Sequence, residues 1–266
     1  MKYIIDHDYH LHSYLSPCGN CPEQTNELIL DYAIKNKFSS ICLTDHYWDE
    51  RVPTNDAGYK NSGFGHISKA LPLPQSSSVR FLFGCECEMD KDCNISVPPS
   101  RYNDFDFIII PTTHLHMVGL TIPCDAADNI EIKARLWVER IDKLLDKDLP
   151  FSKIGLAHLA TPLLHTKSRE EFIKLLDMIP SDEIERVFSK AAKAGCGIEL
   201  NRDDFCFYEC EKDSILRMFK IAKSCGCKFY LGSDAHNPNP FRYTVAVFER
   251  AINMLGLEES DKFHIV

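Results

Sequence analysis

The feature that most restricts the fold of this chain is an alternation of short apolar runs with stretches of helical spacing. Runs at residues 3–5, 40–43, 79–85, 107–110, 154–157, 196–200 and 228–231 have the length and branching of buried strands. Between them, residues 23–36 carry Leu28, Ile29, Tyr32 and Ala33 on one helical face, and residues 129–145 carry Ile132, Leu136, Ile141 and Leu144. Residues 183–194, 213–224 and 244–255 read the same way. Alternation of this kind builds parallel βαβ units, and about seven of them predict a barrel rather than an open sheet. The 266 residues suffice for a single α/β domain over 1–266. Segment 51–78, rich in Pro, Gly, Asn and Ser, breaks the rhythm. It reads as a long excursion between strand and helix, carrying one short helix and placed to act as a lid.

Composition narrows the partners. A hydrophobic fraction of 44% and a charged fraction of 26% are ordinary for a globular protein. The net charge of −9 argues against a nucleic-acid backbone, which requires a basic footprint. The start, MKYIIDHDYH, lacks the apolar core of a secretory leader, and no apolar run is long enough to span a membrane. A cytoplasmic protein with no membrane partner is expected, its twelve cysteines reduced and mostly acting as small core residues. The oligomeric state stays open.

The polar residues beside the strand ends carry the functional signal. His10 and His12 follow the first run, Asp45 and His46 the second, and Glu86 ends the third. His114 and His116 follow the fourth, His158 the fifth, Glu199 and Asn201 the sixth, and Asp234 and His236 the seventh. In a parallel barrel all of these meet at one mouth, where such folds build their sites. Imidazole and carboxylate together suit zinc, iron or manganese, and an H-x-H pair can bind from one strand face. His7 stands an odd number of residues from His12 and is expected to serve structure.

The ordered set HLH, LTDH, GCE, TTH, GLAH and LGSDAH, spread over residues 6–236, resembles the PHP (polymerase and histidinol phosphatase) family, in its stand-alone histidinol-phosphatase-like branch. The resemblance implies a distorted (β/α)7 TIM-like barrel holding two or three divalent ions. Carried over by motif, His10, His12, Glu86 and Asp234 would hold one metal. Glu86 would bridge to a second, held also by His114 and His158, and His46 and His236 would take a third. Asp45 could orient a ligand or a water. The chain departs from the family where Cys18 stands in place of an Asp or His. Either its thiolate ligates the third metal or that site is weak or empty. Cys18 and Cys21 form a C-x-x-C pair, but Cys206/Cys210 and Cys225/Cys227 do not supply the second half of a zinc ribbon.

Two metals sharing a hydroxide can stabilise both oxygens of an in-line displacement. The expected activity is therefore metal-dependent hydrolysis of a small phosphorylated metabolite, with Glu86, Asp234 and His236 as catalytic residues. Arg202 and Arg242, next to the sixth and seventh strand ends, are candidates for the substrate phosphate; surface ion pairing is the alternative for each. An amidohydrolase-type C–N hydrolase and a non-catalytic metal- or metabolite-sensing module are the rival classes.

Overall fold

A computed structural model describes every residue except Asn20, Asn55, Ala57, Gly58, His165 and Val266, with Lys60 described through its backbone alone. In chain order the elements are β1 (His7–Leu11), α1 (Asn26–Lys35), β2 (Ser40–Leu43), β3 (His46–Tyr47), α2 (Phe64–Ile67), β4 (Arg80–Phe83), β5 (Cys85–Cys87), β6 (Ile108–Ile110) and α3 (Ile130–Leu145). They continue with β7 (Ile154–Leu156), α4 (Arg169–Met178), α5 (Ser181–Ala194), β8 (Gly197–Asn201), α6 (Lys212–Ser224), β9 (Lys228–Gly232) and α7 (Thr244–Leu255). The result is a mixed α/β domain with parallel sheets. One sheet has the order β1-β2-β4 and the other β3-β5-β6-β7-β8-β9, and every pairing within them is parallel.

The two sheets are stitched at both ends. Phe83 ends β4 and Cys85 begins β5, with only Gly84 between, so one stretch of chain serves both sheets. A Cβ at Gly84 would meet Phe107 O at 2.5 Å and Cys42 Sγ at 2.7 Å, so this passage needs glycine. At the other end, Asp234 N donates to His10 O at 2.8 Å and Leu11 bridges Ala235 in parallel. Tyr9, Cys42, Leu82, Phe107, Ile109, Ala157, Tyr230 and Phe263 form a small apolar cluster drawn from both sheets. The larger core lies between strands and helices. Helix α5, for instance, buries Ile184, Val187, Phe188 and Ala191, and ends at Gly195 in the left-handed region.

Three local expectations need correction. The first strand is not residues 3–5 but His7–Leu11, although His7, Asp8 and His10 are polar. Most of its polar groups are matched within the protein: His7 Nε2 accepts from Leu231 N, Asp8 accepts from Ser233 N and Tyr32 OH, and Tyr9 OH pairs with Ser40 Oγ. Helix α4 was not anticipated; Ser168 caps it by accepting from Glu171 N, and Pro180 starts α5 directly after it. The third apolar run, 79–85, is divided at Gly84 into β4 and β5. Among the described residues, the chain between β3 and β4 holds two short 3-10 turns and α2. Among the described residues no helix is long and apolar enough to cross a membrane.

Candidate metal centre

β1 delivers His10 from its end and His12 just beyond it, and a register shift between Asp8 and Leu11 breaks the plain alternation of the strand there. β3 and β5 pair His46 directly with Glu86. His114, His158, Asp234 and His236 sit on the loops after β6, β7 and β9. His158 and Asp234 both adopt left-handed backbone, at φ 60° and 51°. For a non-glycine residue such a conformation costs roughly 1–3 kcal/mol, and it recurs where a side chain must be aimed. Gly232 makes room: a Cβ there would collide with Glu199 Oε1 and lie 2.8 Å from His10 Cβ.

Hydrogen bonds assign the imidazole tautomers. His10 Nδ1 donates to Glu199 Oε1 at 2.6 Å. Ser16 Oγ gives its proton to Asp45 Oδ1 at 2.9 Å, so it accepts from His12 Nδ1, also at 2.9 Å. His114 Nδ1 donates to Glu88 at 2.9 Å, and His236 Nδ1 to the Asp234 carbonyl at 3.1 Å. In the neutral form of each of these rings Nε2 is therefore a bare lone pair, the form in which imidazole binds metal.

Those lone pairs converge. His10 Nε2 and His12 Nε2 lie 3.1 Å apart. Glu86 Oε2 is 3.4 Å from each, and Asp234 Oδ1 is 3.5 and 3.1 Å from them. Four electron-rich atoms at such separations repel unless a cation sits among them. These five separations run from 3.1 to 3.5 Å, and a regular tetrahedron of that edge has its centre about 2 Å from each corner, the length of a zinc–nitrogen bond. The other Glu86 oxygen faces His158 Nε2 at 3.0 Å and His114 Nε2 at 3.8 Å. His12, His46 and His236 form a further group, with the His12 and His236 rings stacked at 4.0 Å. His46 Nδ1 approaches Glu86 Oε2 to 3.0 Å without a hydrogen bond between them. Glu86 Oε2, His46 Nδ1, His114 Nε2, Asp234 Oδ1 and His236 Nε2 are all buried with no hydrogen-bond partner. The donor set fits divalent metal.

Without metal the centre holds a proton instead: burial pushes His10 down, but Glu199, Glu86 and Asp234 raise it well above the usual imidazole range, and a bound cation would take that proton's place. Burial pushes the Glu86 carboxyl up, but His46 and His10 beside it hold it well below the usual carboxylate range. Burial likewise opposes ionisation of Asp234, and His10 and His158 overcome it. Cys18 turns its thiol toward this group: burial pushes it up, and the His236 and His46 rings beside it bring it down to about 7.

The structure therefore brings together His10, His12, Cys18, His46, Glu86, His114, His158, Asp234 and His236. It does not bring Arg202 or Arg242 to the same cavity. Glu199 and Asn201 of β8 point to the cluster, so the next residue, Arg202, faces the other way, onto Asp203 Oδ1 at 2.8 Å and over the Tyr243 ring. Arg242 is exposed on the turn before α7. His7 stands apart, its Nδ1 on Asp6 and its Nε2 accepting from Leu231 N. Sequence reasoning gave no role to Glu88, Ser16 or Tyr59, and left Glu199 unassigned. Glu88 was visible as the second carboxylate of an E-x-E pair on one strand face; Ser16 and Tyr59 had no sequence signal.

No family model matches the chain. A probable phosphatase from Thermoanaerobacter sp. (strain X514) is 26% identical over 262 residues, covering 96% of this chain and 86% of its own length. A probable phosphatase from Caldicellulosiruptor bescii is 23% identical over 235 residues, covering 88% of this chain and 80% of its own. Among solved structures, histidinol phosphate phosphatase from Lactococcus lactis, complexed with zinc, L-histidinol and phosphate, superposes with a TM-score of 0.56. That match has 14% identity and covers 97% of this chain and 98% of the other. At that identity the match speaks for a shared fold.

Proposed function

We propose that the protein is a metal-dependent phosphatase of the PHP family, built over residues 1–266 as one distorted (β/α)7 barrel with 51–78 as its excursion. Its substrate is a small phosphomonoester of the histidinol-phosphate kind. The joining of β4 to β5 and the β1–β9 contacts support closure of the barrel. Probable-phosphatase relatives and the fold shared with a zinc-containing phosphatase support the reaction.

The observation that carries the reading is the convergence of bare His10 and His12 Nε2 atoms on Glu86 and Asp234. His10, His12, Glu86 and Asp234 would hold one ion, and Glu86, His114 and His158 a second. His46 and His236 would hold a third, with the Cys18 thiol and His12 at hand. Zinc, iron and manganese all suit these donors, and a thiolate tilts the third position toward zinc. Bound ions would supply Lewis acidity and lower the pKa of a water. The chain does the rest: Glu199, Ser16 and Glu88 fix the ring tautomers, Glu86 ties the ligand groups together, and partly exposed His236 faces the cavity. In the hydrolysis a water oxygen bonds to phosphorus, the bond to the ester oxygen breaks, and a water proton ends on the departing alcohol.

Metal-loaded protein incubated with phosphomonoesters and with amides tests this. Release of inorganic phosphate is expected. Release of ammonia without phosphate would transfer the centre to C–N hydrolysis.

A further inference from the structure

Over the ligand cluster lies a cavity of about 500 Å³, whose floor includes Glu86, His114, His158, Asp234 and His236. Four separate loops build its walls from carbon: Pro17 after β1, Tyr59 from the chain between β3 and β4, Met117 after β6, and Leu163 after β7. Tyr59, Met117 and Leu163 are each half-buried, so part of each side chain remains open to a ligand. Tyr59 would add a polar group if its hydroxyl were free. That hydroxyl instead donates to Glu88 Oε1 at 2.6 Å, and Glu88 also holds His114 Nδ1. What Tyr59 offers the cavity is its ring, which stands edge-on to His46 with centroids 6.2 Å apart. His116, edge-on to His114 at 5.1 Å, completes the wall on that side.

Charge gives the same answer. Among the described residues no lysine or arginine lines this cavity. Arg202 lies outside this lining, its Nε on Asp203 and its Nη1 buried without a partner, and Arg242 is exposed outside. Away from the metal floor, a second anionic group on the substrate would lose water against walls that, among the described residues, offer no lysine or arginine to replace it. An apolar group would gain by leaving water for the three side chains.

We propose that the substrate is a phosphomonoester whose organic group is apolar or aromatic and carries no second negative charge, seated against Tyr59, Met117 and Leu163. This rests on the phosphatase reading above, and the test separates the two. The probes are n-butyl phosphate and its carboxylate-ended analogue, 4-(phosphonooxy)butanoate, which share the reacting ester and differ only at the far end.

The wild-type protein is expected to favour n-butyl phosphate by about tenfold or more in kcat/KM, as expected where a buried charge meets no partner. Met117→Lys and, separately, Leu163→Lys supply that partner and should cut the preference at least about fivefold. Metal content of each variant shows that the centre is intact. Equal use of both esters by the wild type, or an unchanged preference in both lysine variants, would overturn the substrate assignment and leave the phosphatase standing. Failure to hydrolyse either ester would remove the phosphatase reading, and this inference with it.

Discussion

Two buried histidines of β1 lie three residues apart and meet opposite surroundings. His7 uses both ring nitrogens within the protein, Nδ1 on Asp6 and Nε2 on the Leu231 amide, and its ring lies tilted against Tyr9 with centroids 4.4 Å apart. His10 is as deeply buried, yet only its Nδ1 is engaged, on Glu199. Its Nε2 faces His12, Glu86 and Asp234, none of which gives it a proton. Burial alone does not mark a functional histidine. A nitrogen anchored on one side and left bare on the other does, because the missing partner has to come from outside the chain.

The contrast breaks most severely at Glu86, whose two oxygens face separate histidine groups. Glu86→Gln should lower kcat/KM by roughly 10³-fold or more and reduce metal content, read by steady-state phosphate release and elemental analysis. Full turnover in this variant would remove the bridging role. Glu199→Gln acts one atom further out, weakening the anchor that orients His10. A loss of about 10–100-fold in metal affinity is expected, measured by chelator competition, with little change in thermal unfolding of the metal-free protein.

His7→Leu is the mirror experiment. It strands the Leu231 amide and should cost about 1–3 kcal/mol in denaturant unfolding while leaving the metal count unchanged. Loss of metal without loss of stability would reverse the roles of the two histidines. The smallest effect is expected at Asp6. Burial pushes its carboxyl up, but hydrogen bonds from His7 and Lys262 hold it at about 2 against an ordinary 3.8. A depressed carboxylate stabilises the fold above its unfolded pKa, and the contribution is lost as pH falls from 3.8 toward 2. Acid unfolding of Asp6→Asn should lack that component; an unchanged acid profile would show that the pair contributes nothing.

Much of this was legible in the sequence where period and chemistry agreed. The strand Ser40–Leu43 and the helix Thr244–Leu255 lie where their apolar spacing puts them, and the residues after successive strands meet at one place. The first strand was misread because its polar residues look like loop; only contacts from Ser233, Tyr32 and Ser40, distant in sequence, make them strand residues. Helix α4 carried a readable Ser168/Glu171 start and the spacing Phe172, Leu175, Leu176, masked by the adjoining α5. Glu199 and Glu88 act through histidines far along the chain, and Tyr59 reaches the site from the irregular 51–78 segment. Spacing rules carry no information about such partners.

The central claim is that the bare nitrogens and carboxylate oxygens around Glu86 surround metal. Crystals of protein purified without chelator, measured at the zinc, iron and manganese absorption edges, test it directly. The account predicts anomalous peaks about 2.0–2.3 Å from their ligands, one among His10, His12, Glu86 and Asp234 and one among Glu86, His114 and His158. A third peak is expected beside His46, His236 and the Cys18 sulfur. Absence of any peak within bonding distance of Glu86, in protein soaked with each of the three metals, would contradict the account.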